Sequence, residues 1–200
     1  LQTEPTAWLS TSRPDGRPHV VPAWFSWDGS VFDLFSKPQA QKVRNVLAGV
    51  FKGDTDLVGY VLRTLGYALM GNPTQDVMFI PFGNGANGKS TLFGVVRKAF
   101  GGYARSAEAG SFVSDGGAGN AGGAREDLVR LRGSRFVYVN EPDENSELRE
   151  GTVKSMTGGD AITARGLYAK ESVEIIPTWT VFMPTNHKPI VKGSDNGIWR

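Results

Sequence analysis

The sequence predicts a mixed α/β fold with a mainly parallel sheet, preceded by a small β-rich segment. Strand-like and helix-like runs alternate from about residue 54 onward, which is typical of an α/β unit. A glycine-rich loop joins one short apolar run to a helix with apolar periodicity. The first 35 residues instead carry β-branched and aromatic runs separated by turn sequences, which indicates a separate β-rich piece.

The composition narrows the class of protein. The chain has 200 residues, 40% of them hydrophobic and 21% charged, which suits one or two folded domains. It has no cysteine and two histidines, which excludes disulfides and makes a zinc site a poor fit. The lack of cysteine fits the cytoplasmic location that we expect. No apolar run approaches the roughly 20 residues that cross a bilayer, so we expect no membrane partner. Leu1 is not a start methionine, and the sequence ends at Arg200 directly after a motif, so we expect the chain to be a fragment of a longer protein.

The segment before residue 51 is predicted to be a β-meander followed by a helix. Its strands cover residues 8–11, 20–27 and 31–35, with Pro-Asp-Gly and Asp-Gly turns between them. A helical pattern follows over residues 37–50. We therefore place one domain at 1–50 and the α/β core at 51–200.

The α/β core is predicted to open with a helix over residues 56–70. Its apolar side chains recur at helical spacing, at Leu57, Val61, Leu65 and Leu69. Gly71, Asn72 and Pro73 end the helix.

The glycine-rich loop fits the phosphate-binding pattern G-x-x-x-x-G-K-[ST], with residues Gly83, Asn84, Gly85, Ala86, Asn87, Gly88, Lys89 and Ser90. Residues 77–80 precede it as a short buried strand, and residues 91–100 follow it as a helix. Glycines let backbone N–H groups turn toward a phosphate, and a helix N-terminus adds its positive dipole end. Lys89 is predicted to neutralise β- and γ-phosphate oxygens, and the Ser90 hydroxyl to ligate Mg²⁺. The loop with its context therefore predicts an ATP site that extends to Thr91, with Mg²⁺ as cofactor.

An acidic residue ends the next apolar strand, residues 135–141. In a P-loop fold the strand beside the loop's own strand delivers an acid to Mg²⁺ and the attacking water, so we assign both roles to Glu141. Asp143 and Glu144 follow closely enough to share the metal. Taken alone, this run would be an ordinary strand with a solvated acidic turn, but the upstream loop favours the functional interpretation.

A third strand, residues 178–183, is followed by Asn186 and His187. A polar side chain at a strand tip beside the γ-phosphate orients the attacking water, and Asn186 fits that catalytic role. The alternative is a turn residue before Lys188 and Pro189, which is a common use of asparagine. We expect His187 to be structural.

Two β-prone runs, residues 162–165 and 172–176, predict a hairpin between the second and third strands. Arg165 and Lys170 lie near its tip, and Lys154 precedes it. Basic and aromatic groups at such a tip contact a single strand through phosphates and stacking, so these three residues are the predicted DNA contacts. The alternative is an exposed hairpin without a ligand.

Together, these motifs resemble the superfamily 3 helicase domain of phage and plasmid primase-helicases, which are related to poxvirus-type NTPases. The resemblance rests on six segments in matching order and spacing, residues 65–71, 83–91, 131–135, 154–168, 185–189 and 195–200. It implies an AAA-like core, a homo-oligomeric ring of usually six subunits, and ATP-driven movement on single-stranded DNA. It also implies that Arg200 is catalytic, as the arginine finger that reaches the ATP of a neighbouring subunit.

Residues 7–46 instead resemble the start of the pyridoxamine-phosphate-oxidase-like split barrel, which binds FMN or a deazaflavin. The resemblance rests on residues 13–22, 24–29 and 42–45. It covers less than half of such a domain, and an incomplete barrel has no closed pocket, so we expect no flavin binding.

The sequence therefore predicts an ATP hydrolase and DNA helicase that replicates a phage, plasmid or integrated element in a bacterial host. Two alternatives remain open. One is a flavin- or deazaflavin-dependent oxidoreductase of the split-barrel class, and the other is a P-loop NTPase that does not unwind DNA, such as a nucleotide kinase.

Overall fold

The structure, a computed structural model, describes residues 6–12, 18–27, 32–35, 39–114 and 125–193. The chain divides into two compact units. The first consists of Leu1–Leu69 with Gly88–Gly101, and the second of Met70–Asn87 with Gly102–Arg200. The division at residue 50 that the sequence suggests stays a prediction.

The first unit contains a three-stranded antiparallel meander and most of three helices. The strands are β1 Thr6–Ser12, β2 Pro18–Trp27 and β3 Phe32–Phe35, paired in that order. This confirms the predicted meander, while the turn residues 13–16 and 28–29 lie outside the described residues. The helices are α1 Gln39–Val50, α2 Thr55–Met70 and α3 Lys89–Phe100.

Helices α1 and α3 pack against each other. Val43 and Leu47, one turn apart on α1, are buried, and so are Leu92 and Val96 on α3. This spacing of four residues places each pair on one helix face. The predicted apolar stripe of α2 is only partly buried, since Leu57 is 39% exposed and the buried face lies further along the helix at Thr64, Leu65 and Ala68.

The second unit is built on a four-stranded parallel sheet with the order β4-β11-β7-β5. The unit also contains short strands and two helices outside this sheet. In chain order the elements are β4 Met78–Phe79, β5 Ala104–Ala107, β6 Val113–Ser114, α4 Glu126–Val129, β7 Phe136–Val139, β8 Glu147–Leu148, α5 Glu150–Thr157, β9 Ile162–Ala164, β10 Val173–Ile175 and β11 Thr180–Phe182. The predicted mixed α/β fold with a mainly parallel sheet is confirmed.

The strand order corrects one expectation. Strand β11, rather than β7 with Glu141 at its end, lies next to β4, the strand that leads into the glycine-rich loop. The packing explains this order, because the Phe182 ring stacks between Phe79 at 5.2 Å and Phe136 at 4.5 Å. All three residues of β11 are buried, as suits a central strand, whereas β4 at the edge is half-buried rather than buried as predicted.

The core of the second unit lies around this sheet. It includes Val137, Val139, Val181 and Met183, all fully buried. The buried Trp179 indole N–H donates to the Met156 carbonyl at 3.1 Å, which satisfies the ring nitrogen while α5 packs near the sheet.

Strands β9 and β10 form the predicted antiparallel hairpin, with Ala164 opposite Val173. Within the described stretches of chain, no helix is long and apolar enough to cross a membrane.

Candidate functional site

The carboxyl ends of the four parallel strands form the candidate site in the second unit. In open α/β sheets, ligands bind at this edge, because the loops that leave the strands there converge. Each strand contributes a segment: the loop from Gly83 after β4, Glu108 after β5, Asn140 and Glu141 after β7, and Asn186 after β11.

The glycine-rich loop starts beside the segment that follows β11. The Thr185 N–H donates to the Pro81 carbonyl at 3.1 Å, and the Gly83 N–H donates to the Thr185 carbonyl at 3.3 Å. Phe82 and Thr185 thereby form a parallel bridge, and the Lys188 ammonium lies 5.0 Å from the centre of the Phe82 ring. These contacts extend the pairing of β4 and β11 up to the first glycine of the loop.

Glu141 and Asn186 are in direct contact. The Asn186 backbone N–H donates to Glu141 Oε1 at 2.7 Å. Thr185, fully buried, shapes the turn here, since its hydroxyl donates to the His187 carbonyl at 2.6 Å and accepts the His187 N–H at 3.1 Å. The two predicted catalytic side chains therefore lie at adjacent strand ends, with one oxygen of the exposed Glu141 carboxylate held in place.

Sequence reasoning missed a second pair at this edge. The Asn140 side-chain amide donates to Glu108 Oε2 at 3.1 Å, and the Asn140 N–H donates to the Ala107 carbonyl at 2.9 Å. Glu108 follows β5, whose sequence Ala-Arg-Ser-Ala lacks the β-branched and aromatic residues that mark a strand. No strand was therefore predicted before Glu108, and its place at the carboxyl end of a strand could not be inferred from the sequence.

The acidic turn after Glu141 makes contacts of its own. The Asp143 carbonyl accepts the Ser146 hydroxyl at 2.7 Å, and Glu144 Oε1 lies 3.6 Å from His187 Nδ1. His187 thus lies beside this acidic turn, and the structural part expected for it stays a prediction. The metal role suggested for Asp143 and Glu144 stays a prediction.

The oxygen groups suit a magnesium ion that is held mainly by substrate. Among the residues that the structure describes, no group of three or more His, Asp or Glu side chains could hold a metal ion. Mg²⁺ usually takes one or two protein groups and completes its shell with phosphate oxygens and water. At this edge of the second unit, Glu141 offers an exposed carboxylate, which is a ligand type that the ion accepts.

The second half of the loop belongs to the first unit. Gly88 has a left-handed backbone with φ 83°, and its carbonyl accepts the Leu92 N–H at 2.9 Å, so Lys89 is the first residue of α3. The first turn of α3 contains no acidic side chain. Its N–H groups have no acceptor within the helix, so this end carries the positive side of the helix dipole. Lys89 is half-buried, and Ser90 and Thr91 are exposed.

Gly88→Ala should lower the free energy of unfolding by about 1–3 kcal/mol, through overpacking and the strained positive φ. An added Cβ would lie 2.7 Å from Val50 Cγ2, and φ 83° disfavours any side chain. Chemical denaturation checks this, with Gly94→Ala in the same helix as the matched control. Gly94 has no atom within 4 Å of an added Cβ, so that change should stabilise by roughly 0.5–1 kcal/mol. Equal effects of the two substitutions would contradict the proposed strain.

The predicted DNA contacts lie on the surface of the second unit. Arg165 and Lys170 are exposed on the loop between β9 and β10, and Lys154 is exposed on α5. Arg200 lies outside the described residues, so its predicted role as arginine finger stays a prediction.

Two family models match the chain. The model described as pyridoxamine 5'-phosphate oxidase matches residues 1–50, in agreement with the split-barrel resemblance of the first segment. The model described as a family of unknown function, DUF5906, matches residues 82–200.

Three viral proteins, each named a putative helicase, align with most of this chain. The protein from Acanthamoeba polyphaga mimivirus is 31% identical over 147 residues, which are 74% of this chain and 15% of the relative. That from Frog virus 3 (isolate Goorha) is 33% identical over 166 residues, 82% of this chain and 17% of the relative. That from Invertebrate iridescent virus 6 is 26% identical, with coverage of 81% and 17%. The chain is thus related to viral helicase-named proteins and spans about 15% to 17% of their length.

Solved structures of the C-terminal region of NrS-1 share the fold. One apo structure superposes with a TM-score of 0.53 at 15% identity, covering 94% of this chain and 47% of that one. Another apo form gives 0.52 at 16% identity, with coverage of 86% and 42%. At this identity the likeness concerns the fold alone.

Proposed function

This chain belongs to the DUF5906 family of unknown function, and from that premise we propose that it is part of the ATPase core of a DNA helicase that acts in replication. One observation carries the proposal. Three features lie at the carboxyl edge of one parallel sheet: the start of the glycine-rich loop, the Glu141 carboxylate and Asn186. The Asn186 backbone N–H donates a hydrogen bond to Glu141 Oε1 at 2.7 Å. The viral relatives that bear the name helicase support the same function.

Each part of the motif set has a role in ATP hydrolysis. The N–H groups at the start of α3 and the Lys89 ammonium bind the β- and γ-phosphates. Glu141 accepts a proton from the attacking water, and Asn186 orients that water. Bound Mg²⁺ would neutralise charge on the phosphate oxygens, with Ser90 and Glu141 as its protein ligands.

The hairpin formed by β9 and β10 is the proposed contact with single-stranded DNA. Its loop exposes Arg165 and Lys170, and Tyr168 between them is 95% exposed. Cations bind the phosphates, while an aromatic ring stacks on bases whatever their sequence, which suits an enzyme that moves along DNA.

The assembly follows from the family resemblance. In a superfamily 3 ring of six copies, Arg200 would reach the ATP of the next subunit, and each site would need two copies of the chain. The wider setting, a phage, plasmid or integrated element, belongs to the same proposal.

The match of residues 1–50 to pyridoxamine 5'-phosphate oxidase favours a second candidate function, flavin-dependent oxidation. Visible absorbance near the flavin bands in the purified chain would support that function, and a colourless protein that hydrolyses ATP would support the helicase proposal. ATP hydrolysis that ignores DNA would favour the third candidate, an NTPase that does not act on DNA.

Lys170→Ala should weaken binding of a single-stranded oligonucleotide and make it less dependent on salt. The slope of log affinity against log salt is negative, and each lost phosphate contact makes it shallower by about 0.7, because fewer counterions are released on binding. Fluorescence anisotropy at several salt concentrations measures both quantities. Basal ATP hydrolysis should survive, since Lys170 lies outside the phosphate motif.

Lys98→Ala is the matched control, since it removes an exposed lysine from the last turn of α3. It should leave the salt slope unchanged. If Lys170→Ala and Arg165→Ala both leave affinity and slope at the parent values, the hairpin does not hold the DNA phosphates.

A further inference from the structure

The tip of the β9–β10 hairpin contains a turn in an unusual conformation. The Ala169 N–H donates to the Gly166 carbonyl at 3.2 Å, which closes a four-residue turn. Tyr168, the third residue of the turn, has φ 62°, a value that favours glycine or asparagine at that position. Its side chain is 95% exposed, so packing within the chain does not offset the strain. A large aromatic ring is thus displayed at a backbone position where it costs stability.

Helix α4 holds this turn from one side. The Leu167 N–H donates to Glu126 Oε2 at 3.0 Å, and the Arg125 N–H donates to the Arg165 carbonyl at 2.8 Å. A Cβ on Gly166 would lie 3.0 Å from the same Glu126 oxygen, so the glycine lets the carboxylate approach the turn closely. The carboxylate therefore fixes the residue immediately before Tyr168.

Glu126 is itself well oriented. The Arg130 Nε–H donates to Glu126 Oε1 at 3.2 Å, one helical turn further along. The Leu167 N–H, and after it Arg130, hold the pKa of Glu126 below its ordinary value of 4.5. Because the pKa is depressed in the folded chain, the stability that the charged carboxylate contributes is complete above 4.5 and is lost as the pH falls through the lowered value.

We propose that Glu126 is a positioning residue that latches the hairpin turn so that Tyr168 stacks on a base of single-stranded DNA. The proposal rests on the DNA-binding function proposed above and adds to it the residue that meets the base and the residue that holds it there. Arg165 and Lys170, exposed on either side of the turn, supply the phosphate contacts that accompany stacking. A base–aromatic stack of this kind contributes about fivefold to 150-fold in affinity.

Substitution of Glu126 distinguishes the latch from simple electrostatics, because the two predict opposite changes in oligonucleotide affinity. Glu126→Ala removes a negative charge near the DNA, so electrostatics alone would tighten binding of an oligonucleotide. The latch predicts binding at least about fivefold weaker, since the turn loses its hold on Tyr168. Glu126→Gln keeps an oxygen acceptor for the Leu167 N–H and should restore most of the affinity.

Glu171→Ala is the matched control, because it removes an exposed carboxylate from the loop between β9 and β10, where Tyr168 also lies. Glu171 takes no part in the hydrogen bonds of the turn described above. It should leave affinity unchanged or raise it slightly. If Glu126→Ala behaves like Glu171→Ala, the latch does not position the DNA contact.

Substitution of Tyr168 should separate stability from binding. Tyr168→Gly should raise the thermal unfolding temperature, because glycine accepts φ 62° without strain, and should weaken oligonucleotide binding at least about fivefold. Tyr168→Phe should keep the parent affinity, since the ring is retained. The salt slope should stay at the parent value in both, unlike that of Lys170→Ala. Parent affinity in Tyr168→Gly would overturn the stacking role.

Amide hydrogen exchange tests the latch without DNA. The Leu167 N–H should be protected in the parent at neutral pH and should exchange faster in Glu126→Ala at the same pH. Equal exchange in parent and variant would refute the latch whatever the DNA results are. A parent chain that binds no single-stranded DNA would instead overturn the proposed function, and the stacking role of Tyr168 with it.

Discussion

Lys89→Ala should reduce the rate of ATP hydrolysis by about 100-fold or more. The substitution removes the ammonium that we propose neutralises the β- and γ-phosphate oxygens, whose charge shifts as the γ-phosphoryl group transfers. Lys89 is the first residue of α3, where the helix dipole already favours an anion, so its charge would add to the dipole at the proposed phosphate site. Phosphate release measured at saturating MgATP checks the result.

Lys98→Ala again serves as the control for Lys89. It removes the same side chain from the other end of the same helix and should keep at least half of the parent rate. Circular dichroism should show both variants folded. Hydrolysis by Lys89→Ala within a few-fold of the parent would mean that the glycine-rich loop does not bind the reacting phosphates.

Glu141→Gln should have an effect of similar size but of a different kind. We expect hydrolysis to fall by roughly 100-fold or more, because an amide is a poor base and a poor metal ligand. Nucleotide affinity should stay near the parent value. The glutamine keeps a carbonyl oxygen that accepts the Asn186 N–H, so the contact at 2.7 Å survives and the neighbouring segment stays in place.

Equilibrium binding of a fluorescent ATP analogue, measured beside turnover, separates the two effects. Glu141→Ala provides the contrast, because it removes the acceptor for Asn186 as well as the carboxylate. We expect that variant to lose thermal stability in addition to turnover. If Glu141→Gln loses nucleotide affinity while residual hydrolysis persists, Glu141 is not the general base.

The sequence predicted the elements that depend on local signals. The helix after the glycine-rich loop, the strand before Asn140 and the hairpin of β9 and β10 each show their own periodicity or turn residues, and the structure contains all three. The need for glycine at residue 88 could also be predicted, because the phosphate-binding pattern requires glycine there. Its φ of 83° and the approach of Val50 give the physical reason.

Features that depend on contacts between distant parts of the chain could not be predicted from local sequence patterns. The position of β11 between β4 and β7 is set by packing of Phe182 against rings from two other strands. Strand β5 lacks a propensity signal, so Glu108 and its contact with Asn140 were missed. The latch joins Glu126 to Leu167 across 41 residues of chain, and no local pattern marks such a contact.

The central claim, ATP hydrolysis coupled to single-stranded DNA, is tested most directly by the hydrolysis rate of the whole chain with and without a single-stranded oligonucleotide. We predict hydrolysis that requires Mg²⁺, rises several-fold with the oligonucleotide, and loses this stimulation in Lys170→Ala while keeping its basal rate. A chain that binds MgATP but hydrolyses it at one rate at every DNA concentration would contradict the account.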